Sequence, residues 1–307
     1  MRSKSAFSGS LMLLLAAFIW GSTFVAQDKA LTQPFTFIAV RMIIGSVVLL
    51  PVIAVTDIFA KKKGMVSKDF KVLSFTKNEL FGGLACGTIL FIAASLQQYG
   101  IFFYPSDGAA ASKSGFITAL YIVLVPIAGI FLRKKTGANI WASVFIATVG
   151  MYLLCVKNGF AVHPADLILF TCAIGFTAHI LVIDYFSPHV NGIKLSSLQF
   201  LVCGILGIIF MFAFEKPTLA AIIGDTVPIL YAGLLSSGVA YTLQILAQQR
   251  VKPAVASVLM SLESVFAVIS GALFGEVLSV KEIIGCILVF IAVLLAQIDF
   301  KAFKKNN

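Results

Sequence analysis

Four ionisable side chains lie inside long apolar stretches of this sequence: Arg41, Lys113, His179 and Glu263. A charge at the bilayer centre costs about 2.5–3.5 kcal/mol on insertion scales, so such residues face a cavity, a partner or the membrane surface. Glu263 lies ten residues beyond Pro253, which is too deep to snorkel. It must be paired, protonated or in contact with water, and is expected either to bind an amine, cation or proton, or to join a structural hydrogen bond or ion pair, with Lys113 as the candidate partner. Lys113 lies about 8 Å from the external end of its segment at 1.5 Å per residue. It is either a snorkelling anchor or the positive half of a binding site. Arg41, seven residues after Pro34, has a similar depth. A carboxylate-binding and a structural role are both open for it. His179, about thirteen residues after Asp166, is either a proton-exchanging group or a hydrogen-bonded core residue.

Amides and aromatics complete the candidate set. Gln97 and Gln244 can donate and accept, which suits interhelical bonding or a polar ligand. Trp20, Tyr99, Tyr121 and Tyr241 are candidate walls for an apolar substrate portion, although such rings also populate lipid-facing and interfacial positions. No HExxH, GxSxG, P-loop or Asp-rich diphosphate motif is present, so no enzyme is expected and ATP-driven transport by this chain alone is excluded. The five cysteines fall in apolar segments without metal-ligand spacing and read as small hydrophobes. Neither a metal nor a cofactor is expected.

The elements that must position these residues follow from composition. Of 307 residues, 60% are hydrophobic and only 12% charged, against about a quarter charged in an ordinary soluble domain. This is the composition of a polytopic all-α membrane protein. Ten apolar segments are expected to span: Gly9–Gln27, Pro34–Thr56, Leu80–Phe103, Gly108–Leu132, Ile140–Val156, Asp166–Tyr185, Leu195–Phe214, Val227–Gln248, Pro253–Phe274 and Ile283–Gln297. The first resembles a secretory signal, but its apolar run continues through Trp20–Ala26 without a clean cleavage site, so it is read as a retained helix. Of the 23 Lys and Arg residues, 17 fall on one side of this arrangement, including Lys61–Lys63 and Arg133–Lys135. Four fall opposite (Lys29, Lys157, Lys216, Lys281), and Arg41 and Lys113 lie within spans. That bias places both termini in the cytoplasm. It accounts for the net charge of +10 as a topology signal and leaves a nucleic-acid partner without support.

The two halves resemble each other. Leu96-Gln97 aligns with Leu243-Gln244, Ala111-Ser112 with Ala256-Ser257, and Ala16–Ala30 with Cys172–Phe186. Five spans per half, 1–157 and 158–307, would insert the second copy upside down. Such an inverted repeat is the architecture of secondary transporters. Small residues recur at steps of three and four on the fourth span (Gly108, Ser112, Gly115, Ala119, Pro126, Gly129) and on the ninth (Ser257, Ser261, Ser264, Gly271, Gly275). These stripes are expected to allow close helix approach.

"WGSTF" in the first span, "AVRMIIGSVVLL" in the second, and the paired "AASKSGFITALYIVLVP" and "VASVLMSLESVFAVISGALFGE" resemble the EamA branch of the drug/metabolite transporter superfamily. The resemblance covers essentially the whole chain. It implies ten transmembrane helices in an inverted 5+5 repeat around a central cavity, in the bacterial inner membrane. It also implies transport of a small, often amino acid-like metabolite. The first copy departs from the pattern, carrying Leu132–Lys135 where such repeats commonly show a pair like Gly275-Glu276. The expected function is export or exchange of a small polar or zwitterionic metabolite, with proton or ion coupling through Glu263. The alternatives are efflux of drug-like or cationic compounds, and an uncoupled facilitator or receptor-like scaffold.

Overall fold

The structure, a computed structural model, describes residues 2–28, 30–67, 69, 71–103, 110–155, 163–273 and 279–298. The chain runs through α1 (Arg2–Asp28), α2 (Pro34–Lys62), α3 (Lys77–Phe102), α4 (Ala110–Thr118), α5 (Tyr121–Phe131) and α6 (Ala138–Cys155). It continues through α7 (Pro164–Phe186), α8 (Gly192–Phe214), the short α9 (Leu219–Gly224), α10 (Thr226–Tyr231), a π-helix (Ala232–Tyr241) and α11 (Thr242–Gln248). The last helices are α12 (Pro253–Met260), α13 (Leu262–Leu273) and α14 (Val280–Gln297). Among the described residues nine helical stretches are long and apolar enough to cross a membrane, and a shorter apolar helix covers Ala138–Leu154.

The helix starts follow local chemistry. Proline opens α2, α7 and α12, where its missing N–H has no intrahelical partner to lose. Capping boxes at Thr76–Glu79 and Ser279–Glu282 start α3 and α14 a few residues earlier than hydropathy alone indicates. α2 likewise runs six residues past the expected Thr56. Three expected single helices are interrupted. The fourth span breaks between α4 and α5, about two turns ahead of Pro126. The ninth breaks at Ser261, whose Oγ donates to Val258 O at 2.7 Å and competes with the backbone ladder. The eighth widens into a π-helix, a form that often marks functional sites.

α2 and α8 lie antiparallel and are fastened at both ends. At one end Glu215, the C-cap of α8, accepts from Phe35 N (2.7 Å), Thr36 N (2.8 Å) and Thr36 Oγ1 (2.7 Å) at the start of α2. At the other, Asp57 of α2 pairs with Lys194 of α8 at 3.0 Å, and Lys194 Nζ also donates to Ser74 O at 2.8 Å. Thr36 and Lys194 are each the third residue of their helix, and Asp57 and Glu215 each lie 23 residues after the helix start. The remaining helices pair across the halves in matched sets. α3 lies on α7 as α11 and the π-helix lie on α1, α4 and α5 pack on α7 as α12 and α13 pack on α1, and α6 packs on α14.

The described members of the small-residue stripe on the fourth span, Gly115, Ala119, Pro126 and Gly129, are buried. Among the described residues a Cβ on Gly115 would meet nothing within 4 Å, and on Gly129 only Lys134 Cβ at 3.8 Å. Gly108 and Gly275 lie outside the described residues. On the ninth span Ser257, Ser261 and Ser264 are buried as anticipated. Close approach occurs elsewhere: a Cβ on Gly285 would stand 2.6 Å from Gly150 O, where α6 and α14 cross.

The Asp57–Lys194 pair is almost wholly buried, with side chains 6% and 5% exposed. Lys194→Met alone leaves an uncompensated carboxylate and should cost about 3–5 kcal/mol, whereas Asp57→Leu/Lys194→Met together should recover most of that loss. Thermal unfolding of the purified variants in detergent measures both.

Candidate functional site

A narrow cavity, with about 50 Å³ of room for the centres of water-sized molecules, lies in the middle of the bundle. α1 contributes Trp20, Thr23 and Gln27, which recur at steps of three and four on one face. Arg41 enters from α2, Gln97 from α3, Thr118 from α4 and Tyr121 from α5. Phe176 and Ile180 of α7, Ser236 and Tyr241 of the π-helix, Gln244 of α11, Met260 of α12 and Glu263 of α13 close the ring.

Glu263 is held in place by two features. Tyr121 Oη donates to Glu263 Oε1 at 3.0 Å, joining the fourth and ninth spans. Beside it α1 comes so close that a Cβ on Gly21 would lie 2.5 Å from Glu263 O and 2.6 Å from Phe266 Cβ. Only glycine permits that approach, which turns the adjacent Trp20 into the cavity. Trp20 meets Tyr241 edge to face, with ring centroids 4.8 Å apart.

Arg41 is 2% exposed and lies with its guanidinium carbon 5.4 Å from the Phe37 ring centroid. Among the described residues no acidic side chain pairs with it, and no cation pairs with Glu263. Four polar atoms of the cavity residues are buried without a hydrogen-bond partner among the described residues: Trp20 Nε1, Arg41 Nε, Thr118 Oγ1 and Gln244 Oε1. Each such group costs about 1–3 kcal/mol unless a ligand or water satisfies it. The wall therefore offers unmatched donors from tryptophan and arginine, an unmatched acceptor from glutamine, and a carboxyl group.

Of the residues anticipated from sequence, Arg41, Glu263, Gln97, Gln244, Trp20, Tyr121 and Tyr241 converge on this cavity. His179 does not. It is fully buried one layer behind, with Nε2 3.0 Å from Gln199 Oε1 and its ring edge-on to Tyr241 at 5.9 Å. The Lys113 side chain lies outside the described residues, although its backbone belongs to α4. Tyr99 stands apart, its hydroxyl 3.3 Å from Glu215 Oε1. Thr23, Gln27, Thr118 and Ser236 were not anticipated. The repeat register contained a signal for Thr118, which lies six residues after Ser112 as Glu263 lies six after Ser257. Groups of three or more His, Cys, Asp or Glu side chains suited to a metal are absent among the described residues.

A family model described as the EamA-like transporter family matches residues 7–156 and again residues 163–297. A protein of Archaeoglobus fulgidus described as an uncharacterized transporter is 30% identical over 296 residues, covering 94% of this chain and 85% of its own. A second uncharacterized transporter, from Clostridium kluyveri, is 24% identical over 315 residues, covering 97% and 95%. One solved crystal structure superposes with a TM-score of 0.74 at 17% identity, covering 94% of this chain and 96% of the other, which is a likeness of fold.

The Tyr121–Glu263 contact makes a prediction about stability. Tyr121→Phe and Glu263→Gln each disturb one buried hydrogen bond, so their effects should be coupled by about 0.5–3 kcal/mol and not simply add. A double-mutant cycle on thermal unfolding reads the coupling; strict additivity would show that the bond contributes nothing.

Proposed function

Because the chain belongs to the EamA-like transporter family, we propose that it is a secondary transporter for a small zwitterionic, amino acid-like metabolite, working by alternating access around the central cavity. The observation that carries this reading is Arg41, without an acidic partner among the described residues, facing the same cavity as Glu263, among walls whose donors and acceptor lack partners among those residues. Arg41 takes the carboxylate. Glu263, oriented by Tyr121, takes the amine, or a proton or cation when the substrate has left. Gln97 and Gln244 supply further hydrogen bonds, and Trp20, Phe176 and Tyr241 enclose the apolar portion. An exclusively cationic or apolar cargo would leave the Arg41 guanidinium desolvated without an anion, which disfavours drug or cation efflux.

The same reading assigns two five-helix repeats, 1–157 and 158–307, inserted with opposite orientation. The double match of one family model and the matched pairings of helices across the halves support it. The Lys and Arg distribution supports cytoplasmic termini in a cell membrane.

Counterflow in proteoliposomes tests the proposal. Unlabelled α-amino acid inside should accelerate uptake of the labelled one, since a carrier shows trans-stimulation and an uncoupled pore does not. Arg41→Gln should weaken carboxylate-bearing substrates by about 1.5–3 kcal/mol, roughly ten- to hundred-fold in apparent affinity. The same change should leave competition by a simple amine nearly unaltered. Equal losses for both ligand types would contradict the assignment of Arg41.

A further inference from the structure

His179 and Gln199 are both 0% exposed and share a single hydrogen bond, His179 Nε2 to Gln199 Oε1 at 3.0 Å. Their remaining polar atoms, His179 Nδ1 and Gln199 Nε2, have no partner among the described residues. In this bond His179 Nε2 donates, so its Nδ1 is a free acceptor, and the Gln199 amide nitrogen is a free donor. Two such atoms sealed in the core carry the full penalty of lost hydration, which requires an explanation. Neither residue lines the cavity; Tyr241 stands between.

The repeat register supplies that explanation. Gln199 lies seven residues after the start of α8, as Arg41 lies seven after the start of α2. His179 aligns with Thr23 in the match of Ala16–Ala30 to Cys172–Phe186. The structure corroborates both registers. Trp20 and its equivalent Phe176 both line the cavity, as do Gln97 and Gln244, and Thr118 and Glu263. In the α2/α8 register, Thr36 matches Lys194 and Asp57 matches Glu215, the residues that fasten the two helix ends. Thr23 and Arg41 are on the wall, while their equivalents are one layer behind it.

In an inverted-repeat carrier, each half adopts in the opposite-facing state the conformation the other half has now. We propose that in that state His179 and Gln199 come onto the cavity wall, in the places Thr23 and Arg41 now hold, and offer their unpartnered atoms to the substrate. The pair presents one acceptor and one donor, matching an amine and a carboxylate, but carries no fixed cation. The substrate is thus held by a guanidinium on one side of the cycle and by a neutral pair on the other. This inference rests on the alternating-access reading above.

Thiol modification tests it in the full-length chain with its five native cysteines replaced, reconstituted in vesicles where counterflow of a labelled neutral α-amino acid is recorded. Single cysteines are introduced as Gln199→Cys, with His179→Cys as a second reporter should the first fail to assemble. Phe200→Cys is the control: Phe200 is fully buried, and its equivalent, Met42, is buried away from the cavity. A hydrophilic methanethiosulfonate reagent should modify Gln199→Cys and His179→Cys about tenfold or more faster than Phe200→Cys, because a minor state exposes them without unfolding. Intact counterflow with all three positions equally unreactive would overturn this inference and leave the transporter reading standing. Absence of counterflow in the cysteine-free chain, with the unsubstituted protein also lacking trans-stimulation, would instead bring down the reading on which it rests.

Discussion

An arginine side chain that no acid pairs with among the described residues, enclosed in an apolar bundle, is the constraint to which the rest of this molecule answers. Removing a guanidinium from water costs several kcal/mol unless a partner compensates. Arg41 has the Phe37 ring beneath it and the cavity ahead of it, and no acid pairs with it among the described residues. Glu263 faces the same space, restrained by a tyrosine hydroxyl, and no cation pairs with it among the described residues. Had the two been in contact they would neutralise each other as a structural pair. Held apart, they form the two poles of the site proposed above.

Keeping them apart is the task of the helices. The α2/α8 pair is secured by Glu215 at one end and by Asp57 with Lys194 at the other, which fixes the depth of Arg41. Gly21 lets α1 press against the backbone of Glu263, so one dipeptide, Trp20-Gly21, sets both an aromatic wall and the position of the acid. The break at Ser261 and the π-helix over Ala232–Tyr241 aim Glu263, Ser236 and Tyr241 into the cavity, where regular helices would distribute them differently. Irregular backbone is tolerated at membrane depth where it is buried in protein or lines a cavity.

Much of this was legible in the residues. Long uncharged runs announced the spans, because only a spanning helix can use them, and the rarity of charge inside them singled out Arg41 and Glu263. The paired glutamines were visible through the repeat. Other features were hidden for physical reasons. A π-helix has no compositional signature of its own, since it differs from an α-helix by one residue per turn in bonding and not in residue type. The stripe on the fourth span is buried as its spacing suggested, but spacing reports which residues share a face, not what that face meets; among the described residues nothing lies within 4 Å of a Cβ placed on Gly115. His179 was singled out for its chemistry, but burial behind Tyr241 depends on helix rotation, which hydropathy does not encode. Thr118 was overlooked because an isolated threonine in a span is ordinary, and only its equivalence to Glu263 marks it.

Recognition of two opposite charges on one small molecule is the property on which the proposed role of the cavity depends. Isothermal titration of the unsubstituted protein with an α-amino acid, its decarboxylated amine and its deaminated acid tests it most directly. Removal of either head group should weaken binding by about tenfold or more, as expected for the loss of one charge-assisted hydrogen bond. An amine or an acid that binds as tightly as the parent amino acid would contradict the account.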